Sequence, residues 1–441
     1  MSRSIRPILL LAAILLLGVG CQREVIVDKP GWNKPGEPRV KVYKGRIPQQ
    51  SEGLPRVSIV TPKRIKSKTE WVEGASIEIS VFVNDRDSVV YEADSLKIRG
   101  RGNSSWQAYP KKPYSLKLKE KANLIGTGST SRWVLLANWM DRTLLRTDVA
   151  FEAARRTAIE WTPSGIFVDL YLNGSYAGVY WLGERIHVEG SNFLADYLYS
   201  YDTSDTKEWQ FYSLYGRWRH GGIYENGGIP IELKYPDPAI NSEEEDAPQL
   251  DSLLIKQGQE ALATVERALY EDGDWESMLD LNSFCDWFLL YELCCNIEPR
   301  HPKSCFFYLR DGKLYAGPVW DFDWTTFTLD KYTLQNRYCL YFNVLLQQRA
   351  FVDRLKYRWK TKLRQEFLTL PEYIDKKADW IRASEEWNHN LWPCYPNPLA
   401  EEGNNGEVNH DEQLSFQEAV DRMKEAILQR IDAMDYELDK L

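Results

Sequence analysis

Two aspartates one residue apart, Asp321 and Asp323 in Pro318-Val319-Trp320-Asp321-Phe322-Asp323, end an apolar strand among bulky aromatics. A carboxylate in such surroundings is costly unless a cation or a donor meets it. The pair reads in one of two ways. Either it supplies oxygen ligands to a hard metal, or it sits in a turn and accepts from backbone amides. A second reactive set is cationic. Residues 97–121 hold eight Lys or Arg against a single acid, Glu120. Lys97, Arg99 and Arg101 fall on one strand face, and Lys117 and Lys119 lie opposite Leu116 and Leu118. Beside Gly100 and Gly102 such a face can cradle phosphate, because glycine lets backbone amides approach an anion. The competing reading is an edge strand charged against aggregation.

The elements around these residues follow from periodicity. Alternation predicts strands at 56–60, 76–83 and 95–101. Asp141 is expected to cap a helix with Leu145, Val149 and Ala153 on its apolar stripe, and Arg142 and Arg146 sharing another face. Arg146 is then a phosphate contact, an anchor for a catalytic acid, or a salt-bridged surface cation. Asn173-Gly174 between two alternating runs signals a hairpin, with Glu184 near its returning end. Further on, the pattern predicts helices at 249–271 and 281–296, a strand pair around Asp311-Gly312, and helices at 341–367, 371–387 and 412–438. His301 either touches the site or shapes a turn.

Four blocks together resemble the spore coat protein H (CotH) kinase family. They are RGRGNSSW with PKKPYSLKL, the DR-x-LLR run at 141–146, the Glu184 hairpin, and Asn296-Ile297-Glu298 followed by the Trp-Asp-x-Asp segment. The likeness covers roughly 95–330. It implies an α+β, two-lobed atypical protein-kinase-like fold, with a strand-rich first lobe and a helix-rich second lobe. It implies a kinase using ATP with Mg or Mn, transferring the γ-phosphate to a hydroxyl of a protein or surface molecule. Glu298 and Asp321 take the catalytic positions, and Asp321 and Asp323 the metal. Arg101, Lys112, Lys117 and Arg146 become candidate nucleotide contacts, with Glu184 pairing one of the lysines. Two positions depart from the family pattern. Glu298 stands where relatives have Asp, and Ser304-Cys305 where many have Asn, which leaves Asp323 to supply a second metal ligand.

The 441 residues divide into a signal peptide (1–20), a lipid-anchored Pro/Gly-rich stalk (21–54), a strand-rich lobe with the cationic face (55–240) and a helix-rich lobe with the acidic motif (241–441). Arg3 and Arg6, an apolar run and LGVGC mark the leader, with Cys21 as the lipidation site. The expected location is the cell envelope, with membrane contact only through that anchor. A net charge of −9 argues against nucleic acid as a partner. Seventeen Trp and 25 Tyr leave open a non-catalytic, surface-anchored binding protein for glycan or protein, beside ordinary packing. The six cysteines after Cys21 match no zinc spacing, and are expected as buried thiols with at most one bridge.

Overall fold

The computed structural model describes residues 53–441 except 84–85, 127, 189–192, 204–209, 221, 241–248 and 399–407, together with two short paired strands, Glu24–Val25 and Val42–Tyr43. The leader and Cys21 lie outside the described residues. Among those described, no helix is long and apolar enough to cross a membrane.

Seven strands close into a barrel. In chain order they are β1 (Arg56–Val60), β2 (Val72–Val83), β3 (Arg86–Gly100), β4 (Tyr114–Ala122), β5 (Thr130–Leu136), β6 (Gly165–Leu172) and β7 (Ser175–Glu184). Neighbours run β1-β2-β3-β4-β5-β7-β6, and β6 returns to pair with β1 in parallel. Strand alternation sends one set of side chains inward. Val57, Ile79, Ile98, Leu116, Trp133, Leu135, Leu170 and Leu182 fill the interior. The Asn173-Gly174 hairpin forms as expected, both residues taking positive φ (52° and 76°). Closure overturns the edge-strand reading of residues 95–121. Both β3 and β4 are paired on either side, so neither has an edge to protect.

A five-stranded sheet stands beside the barrel: β8 (Tyr197–Tyr201), β9 (Phe211–Tyr212), β10 (Pro230–Tyr235), β11 (Cys305–Arg310) and β12 (Lys313–Ala316), in the order β9-β10-β8-β11-β12. It joins strands from before and after residue 240, since β8 pairs with β11 along its whole length. The longer helices are α1 (Arg146–Arg155), α2 (Ser252–Tyr270), α3 (Leu281–Cys294), α4 (Arg349–Arg358), α5 (Leu370–Leu391) and α6 (Phe416–Asp439). The result is a mixed helix-and-strand protein, strand-rich and barrel-forming toward the N-terminus and helical toward the C-terminus. Helix α3 is buried from Ser283 to Cys294, its mostly apolar residues interrupted by Asp286 and Glu292, which pair with Arg358 and Arg430. All six described cysteines are buried and free. Among the described tryptophans only Trp387 is exposed, which favours packing over stacking platforms for this aromatic content.

Helix α1 begins five residues after Asp141 rather than at it. Asp141 still accepts from the Arg146 amide (2.8 Å) and from Thr143. Arg142 turns outward to the Leu414 carbonyl and His389, so it does not share a face with Arg146. Arg146 is buried. Its guanidinium pairs with Asp141, with Asp411 (2.6 Å) and with the Thr326 carbonyl (2.7 Å). Removing one partner of a buried ion cluster strands the others without compensation. Arg146→Ala is therefore expected to cost about 3–5 kcal/mol in urea unfolding. Adding Asp411→Asn should recover part of the loss, and simple additivity of the two changes would contradict the cluster.

Candidate functional site

Helix α3 ends at Cys295 in the left-handed conformation (φ 53°), which turns the chain sharply into Asn296. The buried Asn296 amide then joins two segments. Its oxygen accepts from the Glu298 amide (2.9 Å), and its nitrogen donates to the Asp321 carbonyl (3.1 Å). Glu298 opens a single 3-10 turn, Glu298–Arg300, so its carboxylate is fixed relative to the 321–327 loop. That loop is strained. Asp321 (φ 72°), Thr325 (φ 49°) and Phe327 (φ 54°) all take positive φ, as does facing Ser304 (φ 50°). Non-glycine residues in this region cost of order 1–3 kcal/mol each and gather at functional sites. The loop is held by the Asn409 amide on the Asp323 carbonyl (3.0 Å) and by Arg146 on Thr326.

These carboxylates open into one cavity of about 870 Å³ between the barrel and the helical part. Glu298, Asp321, Asp323 and Asp202 line one wall; Arg99, Arg101, Lys111 and Arg185 line the other, with Lys68, Lys234 and Lys303 also contributing. Glu298 is 7 % exposed, and its Oε2 is a buried atom with no hydrogen-bond partner. Burial, and then the charge of Asp321, push its carboxyl up to about 8. Asp321 reaches open space in the cavity but is ringed by protein. Desolvation raises it, while Arg101 and the Ser304 hydroxyl (3.3 Å) pull it back. Asp323 is raised by desolvation and then by Asp321. The two aspartates titrate as a pair rather than as separate groups.

The cavity therefore brings together Glu298, Asp321, Asp323 and Arg101. Arg101 places its guanidinium 5.2 Å from the centre of the Trp320 ring, within reach of both aspartates. Other residues singled out in the sequence lie elsewhere. Lys112 donates to the Trp106 carbonyl (2.6 Å), outside the cavity lining. Its neighbour Lys111 is the lysine that faces in, buried and donating to the carbonyls of Ala137 (2.7 Å) and Val179. Burial holds Lys111 well below the ordinary lysine range, with Asp169 opposing. Lys117 pairs across from Lys97, one step beyond the rim. Arg146 is sequestered in its ion cluster. Glu184 lies opposite Trp133 and accepts from the Ser164 amide (3.0 Å), so it serves the barrel and pairs with no cavity lysine among the described contacts. His301 packs edge-on to Trp324, beside the site.

Sequence reading passed over Lys111, Arg185, Asp202, Lys303 and Tyr109. Pro110 and Pro113 break the alternation that would have told Lys111 from Lys112. Arg185 was open to prediction, because it continues the β7 alternation one residue past Glu184.

Compared with protein families, residues 98–434 match the family described as CotH kinase protein. The chain belongs to the CotH kinase family. A comparison with curated proteins finds no match.

The lining also bears on metal. Among the described residues no group of three His, Cys, Asp or Glu side chains gathers closely enough to hold an ion by itself. The donors present are all hard oxygens. Glu298 Oε2 lacks a partner, Asp321 opens into the cavity, and Asp323 beside it is half-buried. Such a set fits magnesium or manganese bound through one or two carboxylates, with substrate phosphates completing the shell.

The raised carboxyl of Glu298 makes stability depend on pH. The folded chain keeps a proton that the unfolded chain releases near the ordinary value of 4.5. Its stabilising contribution is complete below that value and is lost as pH rises through about 8. Glu298→Gln, which cannot ionise, should exceed wild type in stability at alkaline pH by at least about 1 kcal/mol. The advantage should shrink as the pH approaches 5. Denaturant midpoints across that range, with no metal added, measure it; a constant difference would remove the buried-proton account.

Proposed function

We propose that this chain is an exported kinase that transfers the ATP γ-phosphate to a hydroxyl of a protein or surface molecule, on a two-lobed kinase-like body tethered through Cys21. The observation that carries this is the shared cavity. Carboxylates from one half of the chain and guanidinium groups from the other face a single space large enough for a nucleotide, and phosphoryl transfer depends mainly on positioning and electrostatics.

In this reading Glu298, in its ionised form, takes the acceptor's proton as the acceptor oxygen bonds to the γ-phosphorus, so the step needs the carboxyl that burial raises to about 8 to be deprotonated first. The bond from that phosphorus to the β–γ bridging oxygen breaks, and ADP leaves. Asp321 is the principal metal ligand and Asp323 supports it. Magnesium or manganese held there would neutralise charge on the phosphate oxygens. Arg101 stands across from the aspartates and would meet the phosphates directly. Lys111 is fully buried, with its Nζ committed to the Ala137 and Val179 carbonyls and lying over the Tyr180 ring (4.6 Å), so it braces the wall rather than meeting phosphate. Asn296 keeps Glu298 and Asp321 at a set separation, which matters because catalysis is sensitive to displacements of about 1 Å.

Calorimetric titration of ATP with and without Mg²⁺ tests the proposal. Wild type should bind in a metal-dependent manner, and Asp321→Ala should weaken binding at least about tenfold, equivalent to ~1.4 kcal/mol. Phosphate transfer from labelled ATP to the protein itself should vanish in the same variant. No heat of binding under either condition would end the kinase reading.

A further inference from the structure

Seven Lys and Arg line the cavity, and the folded chain already uses most of them. Lys68 donates to the Asn103 side chain (2.5 Å), Lys111 to two carbonyls, and Lys234 pairs with Glu232 (2.7 Å). Arg99 donates to the Thr69 carbonyl (3.1 Å) and lies over the Trp71 ring (4.3 Å). Arg101 faces Asp321 and Asp323, and Lys303 acts on Glu298 and Asp321. The seventh, Arg185, has no such match. Its amide donates to the Arg132 carbonyl (3.3 Å), but among the described residues its guanidinium makes no hydrogen bond and no ion pair.

The surroundings of Arg185 oppose its charge. Burial is the largest influence, followed by Arg132, Arg101 and Arg99; Asp237 pulls the other way, and the balance holds Arg185 down at about 10. The Asp237 carboxylate also accepts from the Ala239 amide (3.0 Å), so it is shared. A half-buried guanidinium without an acceptor costs stability. An anion entering the cavity offsets that cost. A planar fork of donors suits phosphate, which it can bond through two oxygens at once.

Strand register fixes where on the wall this cation stands. Arg99, Ser115, Val134 and Gly183 form one row across β3, β4, β5 and β7. Arg101 lies two residues to one side of that row and Arg185 two residues to the other, so their backbones are about 13 Å apart along the strands. Arg101 is at the aspartates, and Arg185 is at the far end of the same wall. An in-line displacement places the attacking and leaving oxygens on opposite sides of the phosphorus. Glu298 stands on the attacking side, so the wall facing it receives the leaving phosphates.

We propose that Arg185 is a nucleotide-binding residue whose guanidinium meets the α- and β-phosphates that depart as ADP. The proposal rests on the kinase reading above. A triphosphate laid along the wall with its γ end at Arg101 turns its other phosphates toward Arg185, and the two long side chains reach in from either end.

Calorimetric titration of ATP and of ADP on the full chain, each with Mg²⁺, tests the assignment. Arg185→Met should weaken both nucleotides at least about tenfold and by similar factors, because the lost contact is to phosphates they share. Arg185→Lys, which keeps the charge and loses the fork, should recover part of the affinity. The Tm of ligand-free Arg185→Met should equal or exceed that of wild type, since a desolvated cation among arginines is removed. Unchanged ADP affinity in Arg185→Met overturns the proposal. If ATP alone weakens, the guanidinium belongs to the γ-phosphate; if neither weakens, it belongs to the acceptor. A fall in Tm overturns the proposal too, by making Arg185 a structural cation. Wild type that binds neither nucleotide ends the kinase reading and the assignment together. ATP binding weakened in Asp321→Ala but kept in Arg185→Met removes the assignment alone.

Discussion

Arg146 holds a full positive charge where almost no water reaches, and the geometry of the acidic site depends on that charge being matched. Asp141 belongs to the turn before α1, Asp411 to the segment before α6, and the Thr326 carbonyl to the loop that carries Asp321 and Asp323. One guanidinium thus fixes three remote parts of the chain against each other. A buried ion cluster adds little net stability compared with an apolar substitute of equal volume. Its directional bonds instead specify a single arrangement, and a loop with three positive-φ residues needs that kind of constraint.

A second buried pair repeats the device one layer deeper. Arg430 of α6 pairs with Glu292 of α3 and donates to the carbonyls of Lys331 (2.7 Å) and Thr333 (2.8 Å). Glu292 in turn accepts from the amides of Gln335 (2.7 Å) and Asn336 (2.6 Å), and Asn336 donates to the Asn296 carbonyl (3.0 Å). Asn296 therefore sits on a connected set of hydrogen bonds that runs from the last helix to Glu298. The C-terminal helix touches no substrate-facing residue in this chain of contacts, yet it determines where Glu298 stands.

The acidic half of the site was legible in the sequence because it is local. Glu298, Asp321 and Asp323 lie close together in the chain, flanked by an apolar helix and strands whose periodicity is plain. The cationic half was legible only as a region. Charge count marked residues 97–121, but which lysine faces the cavity depends on a one-residue register between Pro110 and Pro113, and Lys111 rather than Lys112 faces in. Arg146 and Glu184 were read as site residues because they stand in blocks that resemble the family. Each is buried with partners far away in sequence, Asp411 for Arg146 and Ser164 for Glu184, and no local pattern reveals such pairing. The second sheet was hidden for the same reason, since β8 and β11 are more than a hundred residues apart and neither alternates cleanly.

The two walls of the cavity differ in sign, and this constrains how the halves can move. Seven Lys or Arg and four Asp or Glu line the cavity in a chain whose overall balance is acidic. Within each wall like charges repel: Asp321 raises Asp323, and Arg101 and Arg99 lower Arg185. Across the gap they attract, as Arg101 does with both aspartates. Opposite walls therefore attract each other while each wall is internally strained. An anion carrying its own cation relieves both walls at once, placing negative charge against the arginines and positive charge against the carboxylates. A bare anion or a bare cation satisfies one wall and leaves the other as it was, so the arrangement favours the two arriving together.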